Sequence, residues 1–101
     1  MSAALTATAL AAPVQPVSIG QLVGNPNGWD GQNVSVTGTV MIRGDALWLQ
    51  LCDGAMSCIY LDNAESARAK AGQTLTFYGK FLAHDTVRYT PINNVLVVAA
   101  S

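Results

Sequence analysis

Two cysteines, one histidine and a few aromatic side chains are all that this chain offers for chemistry. Cys52 and Cys58 have five residues between them, too many for the C-x-x-C spacing in which one thiol tunes another. A structural zinc site needs four Cys or His ligands, and only these two cysteines and His84 exist. No metal and no cofactor is therefore expected. The pair is expected to be one disulfide in an oxidising compartment, and two thiols in a reducing one. His84 stands beside Asp85 in AHDT, which has the make-up of a solvated turn. The six carboxylates are scattered, so spacing nominates no acid–base pair. Gly-rich phosphate loops, H-E-x-x-H and G-x-S-x-G are missing. The expectation is that this is not an enzyme. Arg43-Gly44-Asp45 spells an adhesion tripeptide, and Asn33-Val34-Ser35 a glycosylation sequon. A polar turn and a strand start account for both.

The elements that position these residues follow from periodicity. Val34, Val36, Val40 and Ile42 alternate with Ser35, Thr37 and Thr39, which predicts a strand with Gly38 as a bend. The same sentence is written twice: GQNVSVTGTV, Gly31 to Val40, returns as GQTLTFYGKF, Gly72 to Phe81, with Gly79 in the place of Gly38. Two long strands, each entered from a Gly-Gln turn and each bent midway, predict a sheet that curves around a small barrel. Between the copies, WLQLC and CIYLD flank the turn residues DGAMS and predict a hairpin. Matching apolar faces sets Leu51 opposite Ile59, Leu49 opposite Leu61, Gln50 opposite Tyr60 and Cys52 opposite Cys58. Opposed residues have Cα atoms about 4.5–5.5 Å apart, within reach of a disulfide.

NAESARAKAG predicts a helix capped by Asn63 and stopped at Gly72. The end of the chain predicts a short run Val87 to Tyr89, a break from Pro91 to Asn94, and a closing strand Val95 to Ala99, which makes five strands. Upstream, Ser18 caps a short helix carrying Ile19, Leu22 and Val23, and Trp29 is expected to plug the core.

Half of the residues are apolar and 11% are charged, with a net charge of −1 and five cations. Such a chain folds as one domain, residues 17–101, and has no basic field for collecting phosphates. Residues 1–16, uncharged and rich in Ala and Thr, form a separate leader in which Ala9-Leu10-Ala11 fits a signal cleavage pattern. The run lacks a basic start and is too short to span a bilayer. Export to a periplasm or the extracellular space is expected, with a cytoplasmic location as the alternative.

Three strands, a helix and two strands, with glycine-bent first and fourth strands, resemble the OB-fold from about Val17 to Ala99. The runs SIGQLVGNPNGWDGQNVSVTGTV and WLQLCDGAMSCIYLD are similar to those of small bacterial exported OB domains. The resemblance implies an all-β, five-stranded Greek-key barrel with a short N-terminal helix and one helix between strands 3 and 4. It also implies a non-catalytic module whose ligand face lies on the second and third strands. Carried onto this chain, that face holds Trp48, Gln50 and Tyr60, flanked by Arg43 and by His84 and Asp85. A bland surface rich in Thr, Ala and Val suits docking on a larger protein assembly. The alternative is a single-stranded nucleic acid or an oligosaccharide stacked on the aromatics.

Overall fold

The computed structural model describes residues 14–43, 48–87 and 89–99. Residues 1–13 of the expected leader 1–16, with its cleavage-like Ala9-Leu10-Ala11, and the Gly44-Asp45 part of the tripeptide lie outside them. The described residues are mostly β, in a six-stranded mixed sheet with a few short helical pieces. The elements are β1 (Gln15–Pro16), α1 (Ile19–Gly24), the single turn α2 (Pro26–Trp29), β2 (Asn33–Arg43), β3 (Trp48–Cys52) and β4 (Cys58–Asp62). A 3₁₀ helix (Glu65–Lys70), β5 (Thr74–Val87) and β6 (Thr90–Val98) follow. The sixth strand is β1, two residues paired in parallel with Val34 and Ser35 of β2.

The sheet order is β1-β2-β3-β4-β6-β5, and β5 also pairs with β2, so the sheet returns on its first long strand. That return explains the repeated sequence. The two copies are each other's partners: Val36 and Phe77, which align in the repeat, are also directly opposite, and Gly38 faces Leu75 as Val34 faces Gly79. A local two-fold relates the copies down to single hydrogen bonds. Gly31 N–H donates to Phe81 O and Gly72 N–H to Val40 O, both at 2.7 Å, while Phe81 N–H to Gln32 O and Val40 N–H to Gln73 O are both 2.9 Å. Each copy begins on a left-handed glycine, Gly31 at φ 80° and Gly72 at φ 91°, a conformation in which a side chain is strained.

Gly38 and Gly79 sit where the long strands change partners. Thr39 pairs with both Thr74 and Cys52, and Gly79 and Lys80 pair with both β2 and β6. The register runs through both glycines unbroken. What they supply is room: a Cβ on Gly79 would lie 2.1 Å from Val97 O, and one on Gly38 2.8 Å from Cys52 O.

The interior follows the alternation. Val34, Val36, Val40, Leu49, Leu51, Ile59, Leu61, Phe81 and Leu96 are buried together. Ile19 and Leu22 of α1 close one side, and the half-buried Trp29 packs against the same cluster. Ser18 caps α1 with a reciprocal box: Gln21 N–H donates to Ser18 Oγ at 3.0 Å and Ser18 N–H to Gln21 Oε1 at 2.9 Å.

Three expectations need correction. Residues 65–70 form a 3₁₀ helix with Ala64, not Asn63, at its start. Asn63 instead takes a left-handed φ of 61° and donates its amide to Val98 O at 2.9 Å, tying the end of β4 to the end of β6. At the surface of this helix Arg68 pairs with Glu65, and that hydrogen bond holds the guanidinium above its ordinary pKa. Exposed pairs of this kind add little stability. Second, His84 and Asp85 are not a turn: β5 runs through them to Val87. Third, Pro91–Asn94 are not a break. They belong to β6, and the rungs from Leu82↔Val95 to Val87↔Thr90 make a long β5–β6 hairpin. Pro91 takes its rung opposite Thr86 with no N–H to give, and Asn94 absorbs a kink at φ 58°.

Candidate functional site

The β3–β4 hairpin has the register that alternation demands: Leu49↔Leu61, Gln50↔Tyr60, Leu51↔Ile59 and Cys52↔Cys58. Asp53 organises its turn. The Asp53 carboxylate accepts from Ala55 N–H and Ser57 N–H, both at 2.9 Å, and its backbone N–H donates to Ser57 O at 2.9 Å. Met56 completes the reversal at φ 65°. The cysteines, thus brought together, form a disulfide with Cα atoms 4.1 Å apart.

Pairing carries the face expected on these strands across the whole outer side of the sheet. Met41 of β2 is opposite Gln50, Gln50 opposite Tyr60, Tyr60 opposite Val95 of β6, and Val95 opposite Leu82 of β5. These five residues form one lateral row. Two residues along, on one side, are the Cys52–Cys58 bridge and the pair His84–Asn93, whose imidazole Nδ1 donates to Asn93 Oδ1 at 2.9 Å. Two residues along on the other side is the backbone rung Arg43↔Trp48. The side chains of Arg43 and Trp48 lie outside what the structure describes. Gln50, Tyr60 and His84 thus share a face, and Asp85, one residue on from His84, takes the opposite one.

Sequence reasoning missed Met41, Val95 and Leu82. Val95 and Leu82 enter the row only through the parallel β4–β6 pairing, which no local pattern announces. Burial along the row is uneven. Val95 is fully buried although it lies on the outer side, Met41, Tyr60 and Leu82 are half-buried, and Gln50 is only 8% exposed. Gln50 Oε1 has no hydrogen-bond partner. A buried carbonyl oxygen without a donor costs about 1–3 kcal/mol, and apolar residues would fill the same space without that cost.

The members of the row are a thioether, an amide, a phenol and two aliphatic chains, and the one imidazole nearby is engaged with an amide. Among the described residues, no three His, Cys, Asp or Glu side chains come together to hold a metal ion. No described helix is long and apolar enough to cross a membrane. The chain matches no family model, no curated protein and no solved structure.

Proposed function

We propose that this chain is a non-catalytic OB-fold module that docks on a larger protein assembly in an exported, oxidising compartment. The OB-fold reading is supported by the ring of pairings β2-β3-β4-β6-β5-β2, the parallel β4–β6 rung and the helix between β4 and β5. The compartment reading is supported by the Cys52–Cys58 disulfide.

One observation carries the docking reading: the unpartnered Gln50 Oε1 in the outer row. Gln50 Oε1 is itself closed to solvent, so a partner that seats on Met41, Tyr60 and Leu82 relieves it only where the side chains over the amide part to admit an N–H or O–H donor. Acceptors left unpaired in the free module and satisfied in the complex provide specificity, because a partner lacking the donor keeps the penalty. The low charge of the chain fits this mode of contact. Size-exclusion of the protein in envelope extract, beside Gln50→Met, tests it. Wild type is expected to shift into a larger, defined complex and the variant to elute alone. Equal elution of the two excludes the Gln50 row as the docking face.

The half-buried Tyr60 in the outer row favours a second reading, in which a sugar ring packs on the phenol. Among small ligands this places a neutral oligosaccharide ahead of single-stranded nucleic acid, since five cations give little phosphate attraction. Titrating neutral oligosaccharides and oligonucleotides against tryptophan fluorescence separates the two, and a flat response to both leaves protein docking.

A further inference from the structure

Gln50 and the Cys52–Cys58 bridge lie two residues apart along the β3–β4 hairpin, on one face. The hydrogen bond from Asp53 N–H to Ser57 O fixes the parity of the ladder. By alternation the rungs 52–58 and 50–60 are both non-hydrogen-bonded, the kind in which opposed side chains come closest. An ordinary rung of this kind has Cα atoms about 4.5 Å apart, and at the bridge they are 4.1 Å apart. Cys58 is the diagonal neighbour of Gln50 across the strands, within reach of a long side chain.

The turn has other supports than the bridge. Asp53 holds it through Ala55 N–H, Ser57 N–H and Ser57 O, and the buried Leu49, Leu51, Ile59 and Leu61 set the register. Beside the bridge stands an outward-facing amide that is only 8% exposed, with an oxygen closed to solvent and unpaired. Glutamine on an outer face ordinarily keeps its amide in water.

We infer that the disulfide seals Gln50, so that oxidation primes the docking face. The covalent tie draws β3 and β4 together on the outer side. Two unbonded sulfurs need van der Waals separation, so in the dithiol chain the rung widens and water reaches the amide. In the bridged chain Oε1 is dry, and a partner's donor relieves the whole desolvation cost. In the dithiol chain water already pairs the oxygen, and the same donor gains little. The priming rests on the reading of Gln50 as a docking acceptor, whereas the seal itself involves no partner. Exchange enters at Cys58, which is half-buried, and not at Cys52, which is 1% exposed. The Cys58 thiolate, its proton passed to water, attacks one sulfur of an external disulfide and expels a thiolate. The Cys52 thiolate then attacks Cys58 Sγ, which forms the bridge and expels the second. The cysteines lose two electrons and two protons, and the external disulfide becomes two thiols.

Coupling of this kind is reciprocal, so removing the orphaned oxygen must make the bridge easier to form. Equilibrating the isolated protein in glutathione redox buffers, trapping free thiols by alkylation and weighing the products tests it. In a given buffer the bridged-to-dithiol ratio of Gln50→Met is expected to exceed that of wild type by about 5- to 150-fold, the orphan's cost of about 1–3 kcal/mol at tenfold per 1.4 kcal/mol. The cycle closes in urea, where Gln50→Met raises the midpoint of the bridged protein and leaves that of the reduced protein close to wild type. In wild type the Gln50 side-chain N–H signals are expected to exchange with water roughly tenfold faster after reduction, while the Val36 amide keeps its rate. An equal ratio for Gln50→Met and wild type overturns the proposal, as does a Gln50 amide that exchanges alike in both states. Priming has a separate test: Cys52→Ala/Cys58→Ala is expected to stay out of the complex that wild type enters in envelope extract, and equal elution overturns it. Gln50→Met entering that complex like wild type would sink the docking reading and the priming with it, while a shifted ratio would still establish the seal.

Discussion

Gln50 is the residue whose chemistry and surroundings disagree most. Met has nearly its length and no acceptor, so Gln50→Met removes the orphaned oxygen while keeping the side-chain volume. If the oxygen waits for a partner, Gln50→Met stabilises the isolated domain by ~1–3 kcal/mol in urea unfolding, while docking is lost. A gain in stability paired with a loss of function is the usual mark of a site held at the expense of the fold. If Gln50 served the fold, the same change would lower the urea midpoint. Tyr89, at φ 65°, supplies an independent case of the same sign: left-handed backbone costs a non-glycine residue about 1–2 kcal/mol, so Tyr89→Gly recovers up to that amount, measured by thermal unfolding. The β3 alternation that buries Leu49 and Leu51 predicts which way Gln50 points, and hence its pairing with Tyr60, but not its burial. Burial of an outward residue depends on neighbours from β2 and β4 closing around it, a tertiary effect that strand period does not carry.

At the scale of elements, backbone proximity decides. Alanine at Gly79 would put its Cβ 2.1 Å from Val97 O, and alanine at Gly38 2.8 Å from Cys52 O. Neither neighbour is a side chain that can swing aside. Both substitutions are expected to destabilise by ~1–3 kcal/mol or more, Gly79→Ala the more severely, and a Gly79→Ala variant with the wild-type urea midpoint would contradict the close approach. The Cys52–Cys58 link spans a sequence separation of 6, so the loop-entropy account gives it about 2 kcal/mol, less than a long-range bridge. Reduction should lower the midpoint by that order and leave the far-ultraviolet circular dichroism of the folded state intact. The β3–β4 hairpin was the most legible element, because two clean period-two runs around a five-residue turn admit one register that buries both apolar faces. The β5–β6 hairpin was the least. His84-Asp85 and Pro91 to Asn94 are turn-forming types, and the alternation of the arm, exposed to half-buried, is carried by polar residues such as Asp85 and Asn94 and so is not written in hydrophobicity.

The whole molecule divides into a closed part and a projecting part. The rungs Asn33↔Lys80 to Thr39↔Thr74 join the two sequence copies and bring the sheet back on itself, and Val34, Val36, Val40 and Phe81 are fully buried beside that seam. Opening it exposes the core to water, so amides of this seam are expected to exchange only through global unfolding. Beyond Leu82↔Val95 the arm formed by β5 and β6 has no third strand among the described residues, since β4 pairs with β6 only at Val95, Leu96 and Val97. Its outer rungs are held by backbone pairing and by side-chain contacts such as His84 to Asn93. A two-stranded ribbon is marginal in water on its own. Amides of the outer rungs, Asp85 to Ile92, are therefore expected to exchange through local opening, with protection far below that of Val36 and insensitive to low urea, while the seam's protection falls with urea at the global slope. Native-state hydrogen exchange followed by nuclear magnetic resonance distinguishes these regimes residue by residue. An arm as protected as the seam, with the same urea slope, would mean that folding and arm formation are one event.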